Sequence, residues 1–202
     1  MSTFHRRKSI RLKGYDYSQP GAYFVTICTK NRKAIFGDVV DGEMRMSQMG
    51  EIASRCWREI PDHFTNVELD EFVVMPNHVH GIIVILDDVN SVGVIHESPL
   101  PKTTTERRRM LLPKIIGRFK MNSAKRINLL RNSSGIPVWQ RNYFEHIVRD
   151  EKSMTRIREY IDTNPQRWEL DRENPHRRGS DEFDQWLPSM VPRPVTSETK
   201  SI

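Results

Sequence analysis

Apolar positions along the chain follow two periods, and the switching between them lays out a fold. The run Ala22-Tyr23-Phe24-Val25-Thr26-Ile27-Cys28 is β-branched and aromatic, is opened by Pro20-Gly21, and predicts a strand. Residues 35–40 and 44–46 flank Asp41-Gly42, a pair that favours tight hairpin turns, and predict two short strands. A helix is expected over 49–60, where Ile52, Cys56 and Ile60 recur at helical spacing before Pro61 stops it. Residues 67–75 and 78–86 read as two further strands joined through Pro76-Asn77. Over 112–131 the stripe Leu112, Ile116, Phe119, Ile127 and Leu130 predicts an amphipathic helix, with Pro113 in its first turn. Segment 138–148 is expected to be extended, with Trp139, Tyr143 and Phe144 supplying bulk. Asp150 is a good N-cap for a helix running to about Thr163, which must end where Pro165 disfavours helical geometry at Asn164. Strands interleaved with helices and joined by tight turns predict an α+β fold, an antiparallel sheet with helices on one face.

The same pattern divides the chain into a basic arm over 1–20, one domain over 21–168 and a polar tail over 169–202. Within the domain, residues 87–110 lack periodicity and are rich in Ser, Thr, Pro and charge, which reads as a mobile insertion. In the tail, Trp186 stands out as an anchor.

Composition changes this picture in one respect. The net charge of +6 hides a segregation: residues 1–33 and 102–131 together hold 18 Lys and Arg against two acids, while the rest holds 14 against 24. Basic blocks on an otherwise acidic protein point to a polyanion partner, although any single cation can be a solvated surface residue. No apolar run approaches a membrane span and the N-terminal residues are polar, so a cytoplasmic protein without membrane contact is expected. Cys28 and Cys56 form no paired motif and read as small buried side chains.

Candidate chemistry sits in two places. In Met75-Pro76-Asn77-His78-Val79-His80-Gly81, strand alternation points His78 and His80 to one side, a ready pair of metal ligands. Seven histidines yield such a spacing by accident roughly one time in four, so spacing alone says little. Context says more: the strand is otherwise apolar, and two imidazoles in it need a reason to be kept. Gly81 beside them is expected to let a backbone or substrate approach. The second place is Arg158-Glu159-Tyr160-Ile161-Asp162-Thr163-Asn164-Pro165, where Tyr160 and Asn164 stack on one face of the last helical turn. A tyrosine beside a metal-bound phosphate can act as a nucleophile and an asparagine carbonyl can ligate a metal, though a lone helical tyrosine more often packs at the edge of a core.

Taken together, these motifs resemble the REP-associated tyrosine transposases and the wider single-tyrosine HUH transposases of insertion sequences. The likeness covers most of 6–168. It includes Arg6-Arg7-Lys8-Ser9-Ile10-Arg11-Leu12, Gly21-Ala22-Tyr23-Phe24-Val25-Thr26, the His78/His80 motif, Phe119-Lys120, the stretch Trp139 to His146, and Tyr160 to Pro165. It implies a ferredoxin-like or RRM-like sheet with the His pair on a central strand. It implies His78 and His80 as metal ligands, Asn164 as a third ligand and Tyr160 as the nucleophile on single-stranded DNA hairpins, with a 5′-phosphotyrosine intermediate. A divalent metal is implied as cofactor, Mg²⁺ or Mn²⁺, and mixed nitrogen and oxygen ligation suits Mn²⁺ somewhat better. Arg6, Arg7, Lys8 and Arg11 in the arm, with Lys114, Arg118, Lys120 and Lys125 on the long helix, are expected to contact DNA phosphates. The family holds both monomers and dimers, and its shared pattern leaves out 87–110 and the tail. Tyr143 is the competing nucleophile and His146 the competing ligand. Two other readings of the chain are a hydrolytic metal-dependent phosphodiesterase and a non-catalytic, domesticated nucleic-acid-binding protein.

Overall fold

The computed structural model describes residues 15–87 and 110–189. The arm residues Arg6, Arg7, Lys8 and Arg11 and nearly all of the 87–110 insertion lie outside the described residues.

A four-stranded antiparallel sheet is built from β1 (Gly21–Cys28), β4 (Val67–Met75), β5 (His78–Ile85) and β6 (Phe144–Val148), in the order β4-β5-β1-β6. Helices α1 (Gln48–Arg58) and α2 (Leu111–Leu130) make the two crossovers, giving the β-α-β-β-α-β connectivity and strand order of a ferredoxin-like sheet. Strands β2 (Gly37–Val40) and β3 (Glu43–Met46) form a separate hairpin between β1 and α1. At its tip Asp41 and Gly42 both have positive φ, 54° and 77°, as a two-residue turn matched to strand twist requires. After β6 come α3 (Glu151–Asp162) and α4 (Glu182–Ser189).

Local chemistry explains these bounds. The Ser47 hydroxyl accepts from the Gly50 N–H to cap α1, and a carboxylate oxygen of Asp150 accepts from the Ser153 N–H at 2.8 Å to cap α3. Pro113 sits in the first turn of α2, where a missing N–H costs nothing. The expected extended segment over 138–148 is a strand only from Phe144 to Val148. Trp139 instead makes a single bridge with Thr29 and donates its indole N–H to the Ser123 hydroxyl.

Helices cover both faces of the sheet, against the expectation of one. Alternate residues of β1 and β5 separate the two cores. Tyr23, Val25, Ile27, Val79 and Ile83 pack with Trp57 and Phe119 beneath α1 and α2, whereas Phe24 and Ile82 pack with Ile157, Ile161, Phe183 and Leu187 beneath α3 and α4. Sequence periodicity finds α1, α2 and α3 but not the face each takes, and it missed α4, which lies in the segment read as a polar tail. Gly81 belongs to the first of these faces and serves it, not the histidines: a Cβ there would stand 2.4 Å from the Trp57 ring. The tail is anchored chiefly by Phe183 and Leu187, both buried, with Trp186 half-buried. Cys28 and Cys56 are buried and free, as read. Among the described residues, no helix is long and apolar enough to cross a membrane.

Candidate active site

His78 and His80 both point from central strand β5 toward α3, and both are buried. Their ring orientation is set from outside. The Asn77 amide nitrogen donates to the backbone carbonyls of Glu173 (2.7 Å) and Arg32 (3.3 Å), so its oxygen is the atom facing His78 Nδ1 at 2.8 Å. That oxygen can only accept, so Nδ1 carries the proton and Nε2 presents a lone pair to the site. His78 Nε2 is buried and has no hydrogen-bond partner. His80 is oriented in the same way by Thr26, whose hydroxyl lies 2.8 Å from Nδ1. Burial, with His80 adding to it, drives the His78 pKa down to about 3, so this imidazole is neutral and ready to ligate.

Helix α3 brings Tyr160 over this pair. Its ring stacks on Phe183 at 3.7 Å between centroids and meets Phe24 edge-on, which fixes where the hydroxyl points. The Tyr160 hydroxyl lies 3.3 Å from His80 Nε2 and 3.2 Å from a carboxylate oxygen of Asp171. Beyond α3, past a run of turns and a 3-10 helix over Trp168–Leu170, Asp171 returns to the centre, and its Oδ2 stands 3.8 Å from His78 Nε2 and 3.6 Å from His80 Nε2. The amide nitrogen of Asn164 donates to the same oxygen at 2.8 Å, while Asn164 Oδ1 is buried without a partner. Burial by itself would raise the Asp171 carboxyl, but the two imidazoles and the Asn164 amide outweigh it and hold the group ionised, well below the carboxylate range. Tyr160 moves the other way: burial, then the negative charge of Asp171, keeps its phenol protonated far above the usual tyrosine range.

His78, His80 and Asp171 form the one group of three His, Cys, Asp or Glu side chains among the described residues with ligand atoms close enough to share an ion. Two unsatisfied buried acceptors, His78 Nε2 and Asn164 Oδ1, flank the carboxylate, and a buried acceptor without a donor is costly. A cation shared by His78, His80 and Asp171 would satisfy the first of them. The donor set therefore fits a divalent metal.

Sequence reasoning missed Asp171. It falls in the tail set aside as having no role, and nothing in Glu169-Leu170-Asp171-Arg172-Glu173 distinguishes one acid from the next. Tertiary contacts single it out: Asp171 Oδ1 accepts from the Glu173 N–H, and Glu173 accepts from Arg32 and from the Cys28 thiol, stitching this loop to the end of β1. Burial, and then the Glu173 carboxylate, push the Cys28 thiol up.

The other predicted residues separate. His146 is on β6, paired with Phe24, and does not join the cluster. Tyr143 packs against the α1/α2 core under Lys120. Lys114, Arg118, Lys120 and Lys125 ride on α2, across the sheet from Tyr160. Lys120 donates to the Gln140 and Asn142 carbonyls and braces that loop, and Arg118 contacts His63.

No protein-family model matches the chain. A Haemophilus influenzae protein of uncharacterized function is 43% identical over 171 residues, spanning 83% of this chain and 92% of that one. A second Haemophilus influenzae protein, named "Putative REP-associated tyrosine transposase", is 26% identical over 151 residues, spanning 74% of this chain and 73% of its own length. A solved REP-associated tyrosine transposase bound to a REP hairpin shares 18% identity at a TM-score of 0.44, covering 83% of this chain and 74% of that chain, a likeness too slight to carry an argument. Over about three quarters of its length, then, the chain is similar to a protein named as a REP-associated tyrosine transposase, the family that its motifs resemble in kind and order.

Proposed function

We propose that the protein is a metal-dependent single-stranded DNA endonuclease and strand transferase acting on hairpin DNA, with Tyr160 as nucleophile. The observation that carries this reading is the meeting of two distant segments: a helical phenol lies within 3.3 Å of a buried imidazole on β5 and 3.2 Å of a buried carboxylate. Hydrolysis by activated water gives no reason for a tyrosine at that point.

His78, His80 and Asp171 would hold the ion, with Asn164 Oδ1 as a further oxygen ligand once its amide turns from Asp171. A bound divalent cation supplies Lewis acidity, neutralising charge on the phosphate oxygens. The nitrogen-and-oxygen donor set favours Mn²⁺ over Mg²⁺. Phe183 and Phe24 hold the Tyr160 ring so that its oxygen can attack phosphorus in line. The Tyr160 phenol gives its proton up toward the Asp171 carboxylate 3.2 Å away, a Tyr160 O–P bond forms, the P–O3′ bond breaks, and the released 3′-oxygen takes that proton back. The 5′-phosphotyrosine keeps the phosphodiester energy, so a second 3′-hydroxyl can reverse the attack and join a new strand. Tyr160 is 4% exposed, so a strand reaches it only when the covering residues between Asp171 and Leu187 yield.

Arm residues Arg6, Arg7, Lys8 and Arg11 are assigned to backbone phosphates, and Lys114, Arg118 and Lys125 to a duplex stem that passes the α2 face. Neutralising Arg6, Arg7 and Lys8 together should flatten the salt dependence of binding. An unchanged slope removes the arm from the interface.

The deciding experiment incubates the protein with single-stranded DNA from the flanks of its own gene plus Mn²⁺, and looks for a denaturant-resistant protein–DNA adduct. Wild type should form it, and Tyr160→Phe should not. Cleavage that survives Tyr160→Phe and leaves free 5′ ends means water-activated hydrolysis. Full binding in chelator with no cleavage means a non-catalytic binding protein.

A further inference from the structure

The edge strand β4 is out of step with β5 at one place. Leu69 pairs with Ile83 and Phe72 with Gly81, so three steps along β4 match two along β5. That bulge keeps Leu69 and Phe72 on the α1 side, where both pack, and leaves Asp70 and Glu71 opposite the single residue Ile82. The Asp70 side chain accepts from the Glu71 N–H at 2.7 Å, which fixes its carboxylate on the other face of the sheet.

There it meets α3. Arg158 Nε donates to Asp70 Oδ1 at 2.9 Å and Arg158 Nη2 to Asp70 Oδ2 at 2.7 Å, a two-pronged contact across 88 residues of sequence. Arg158 is two residues before Tyr160. The helix starts directly after β6 at one edge of the sheet and reaches β4 at the other, so it spans the sheet with Tyr160 above β5. Apolar packing through Ile157 and Ile161 holds it down, but such packing is non-directional and tolerates small slides. A planar guanidinium matched to a carboxylate is directional.

We infer that the bulge-mounted Asp70 and Arg158 are a positioning pair, which sets the lateral register of α3 so that the Tyr160 hydroxyl meets the His78/His80/Asp171 centre. This deepens the proposed function and rests on it. The pair is half-exposed, with Arg158 at 41% and Asp70 at 19% side-chain exposure, and exposed ion pairs add little to stability. Its loss should therefore show in rate and only weakly in melting temperature. Misplacing a reacting group by about 1 Å can cost on the order of a hundredfold.

The test compares single-turnover adduct formation on the single-stranded flanking DNA with Mn²⁺ in wild type, Asp70→Asn, Arg158→Lys, Arg158→Met and the swap Asp70→Arg with Arg158→Asp. Each single substitution should slow the adduct step by about tenfold to a hundredfold. DNA affinity and the Mn²⁺-induced rise in melting temperature should stay near wild type, because neither the strand contacts nor the ion ligands have changed. The swap should recover a large part of the rate. Single variants as fast as wild type, a slowing matched by equal loss of DNA binding or of the Mn²⁺ shift, or a swap no better than the singles each overturn the inference. A wild-type protein that forms no adduct sinks the function first, and the pair's role with it.

Discussion

The two faces of the central sheet are made by the same strands and do opposite work. On the α1/α2 face, β5 offers Val79, Gly81 and Ile83 to a core that includes Trp57 and Phe119, and all three serve packing. On the α3/α4 face the alternate residues are His78, His80 and Ile82, and the first two look into a cluster of polar groups left partly unsatisfied. One residue of shift along β5 separates a dry core from a reactive centre. The comparison teaches that the two histidines can stay buried because the opposite face carries the stability. Changes on one face should therefore cost activity without unfolding the protein, and changes on the other should do the reverse.

The largest expected effect is on the reactive face. Tyr160→Phe removes one hydroxyl, leaves the stack on Phe183 intact, and should abolish the covalent adduct while the melting temperature changes little; Tyr143→Phe should leave the adduct in place. An adduct that persists in the first variant and vanishes in the second reverses the assignment. Next, Mn²⁺ should raise the melting temperature of the wild type, by the equivalent of about 2.7 kcal/mol at a hundredfold excess over Kd. That shift should be lost in His78→Ala and in Asp171→Asn alike. A shift that survives Asp171→Asn removes the carboxylate from the ligand set and returns the place to Asn164.

The packing face gives the converse. Gly81→Ala drives a methyl against the Trp57 ring and should cost about 1–3 kcal/mol in denaturant unfolding, with adduct chemistry spared in the fraction that stays folded. A fully stable Gly81→Ala protein means that Trp57 can move aside. A subtler difference appears with pH at His146. Burial, followed by Arg149, lowers its pKa from an ordinary 6.5 to about 4. Between those values the unfolded chain binds more protons than the folded one, so the stabilisation is whole above pH 6.5 and is lost as pH falls toward 4. His146→Phe should flatten the fall in unfolding free energy between pH 7 and 5, and His78, shifted in the same direction, should keep part of the slope. An undiminished slope assigns the effect to other groups. The smallest effect should come from Asp150→Ala, which uncaps the tyrosine helix at a cost of about 1 kcal/mol by urea titration.

Much of this could be read from the chain. The alternation of Ala22 to Cys28 and the helical stripe from Leu112 were enough to find β1 and α2, because periodicity is a local property that a strand or helix must satisfy wherever it ends up. The pairing of His78 with His80 on one side of β5, and of Tyr160 with Asn164 on one turn, follows from the same local geometry. Adjacency in sequence misled at Gly81, where the absent side chain proved to accommodate Trp57 from α1, a partner 24 positions earlier in the chain.

Tertiary structure alone decided which face each helix covers, that α2 carries its cations away from the tyrosine, and that Asp171 completes the cluster. The reason is physical. A buried carboxylate is recognisable by what surrounds it, here two imidazoles from β5, a phenol from α3 and an amide from the turn after it, and no spacing in a polar tail encodes that company. The chain dictates its elements and half of its chemistry through local repeats. The other half exists only where those elements close on one another.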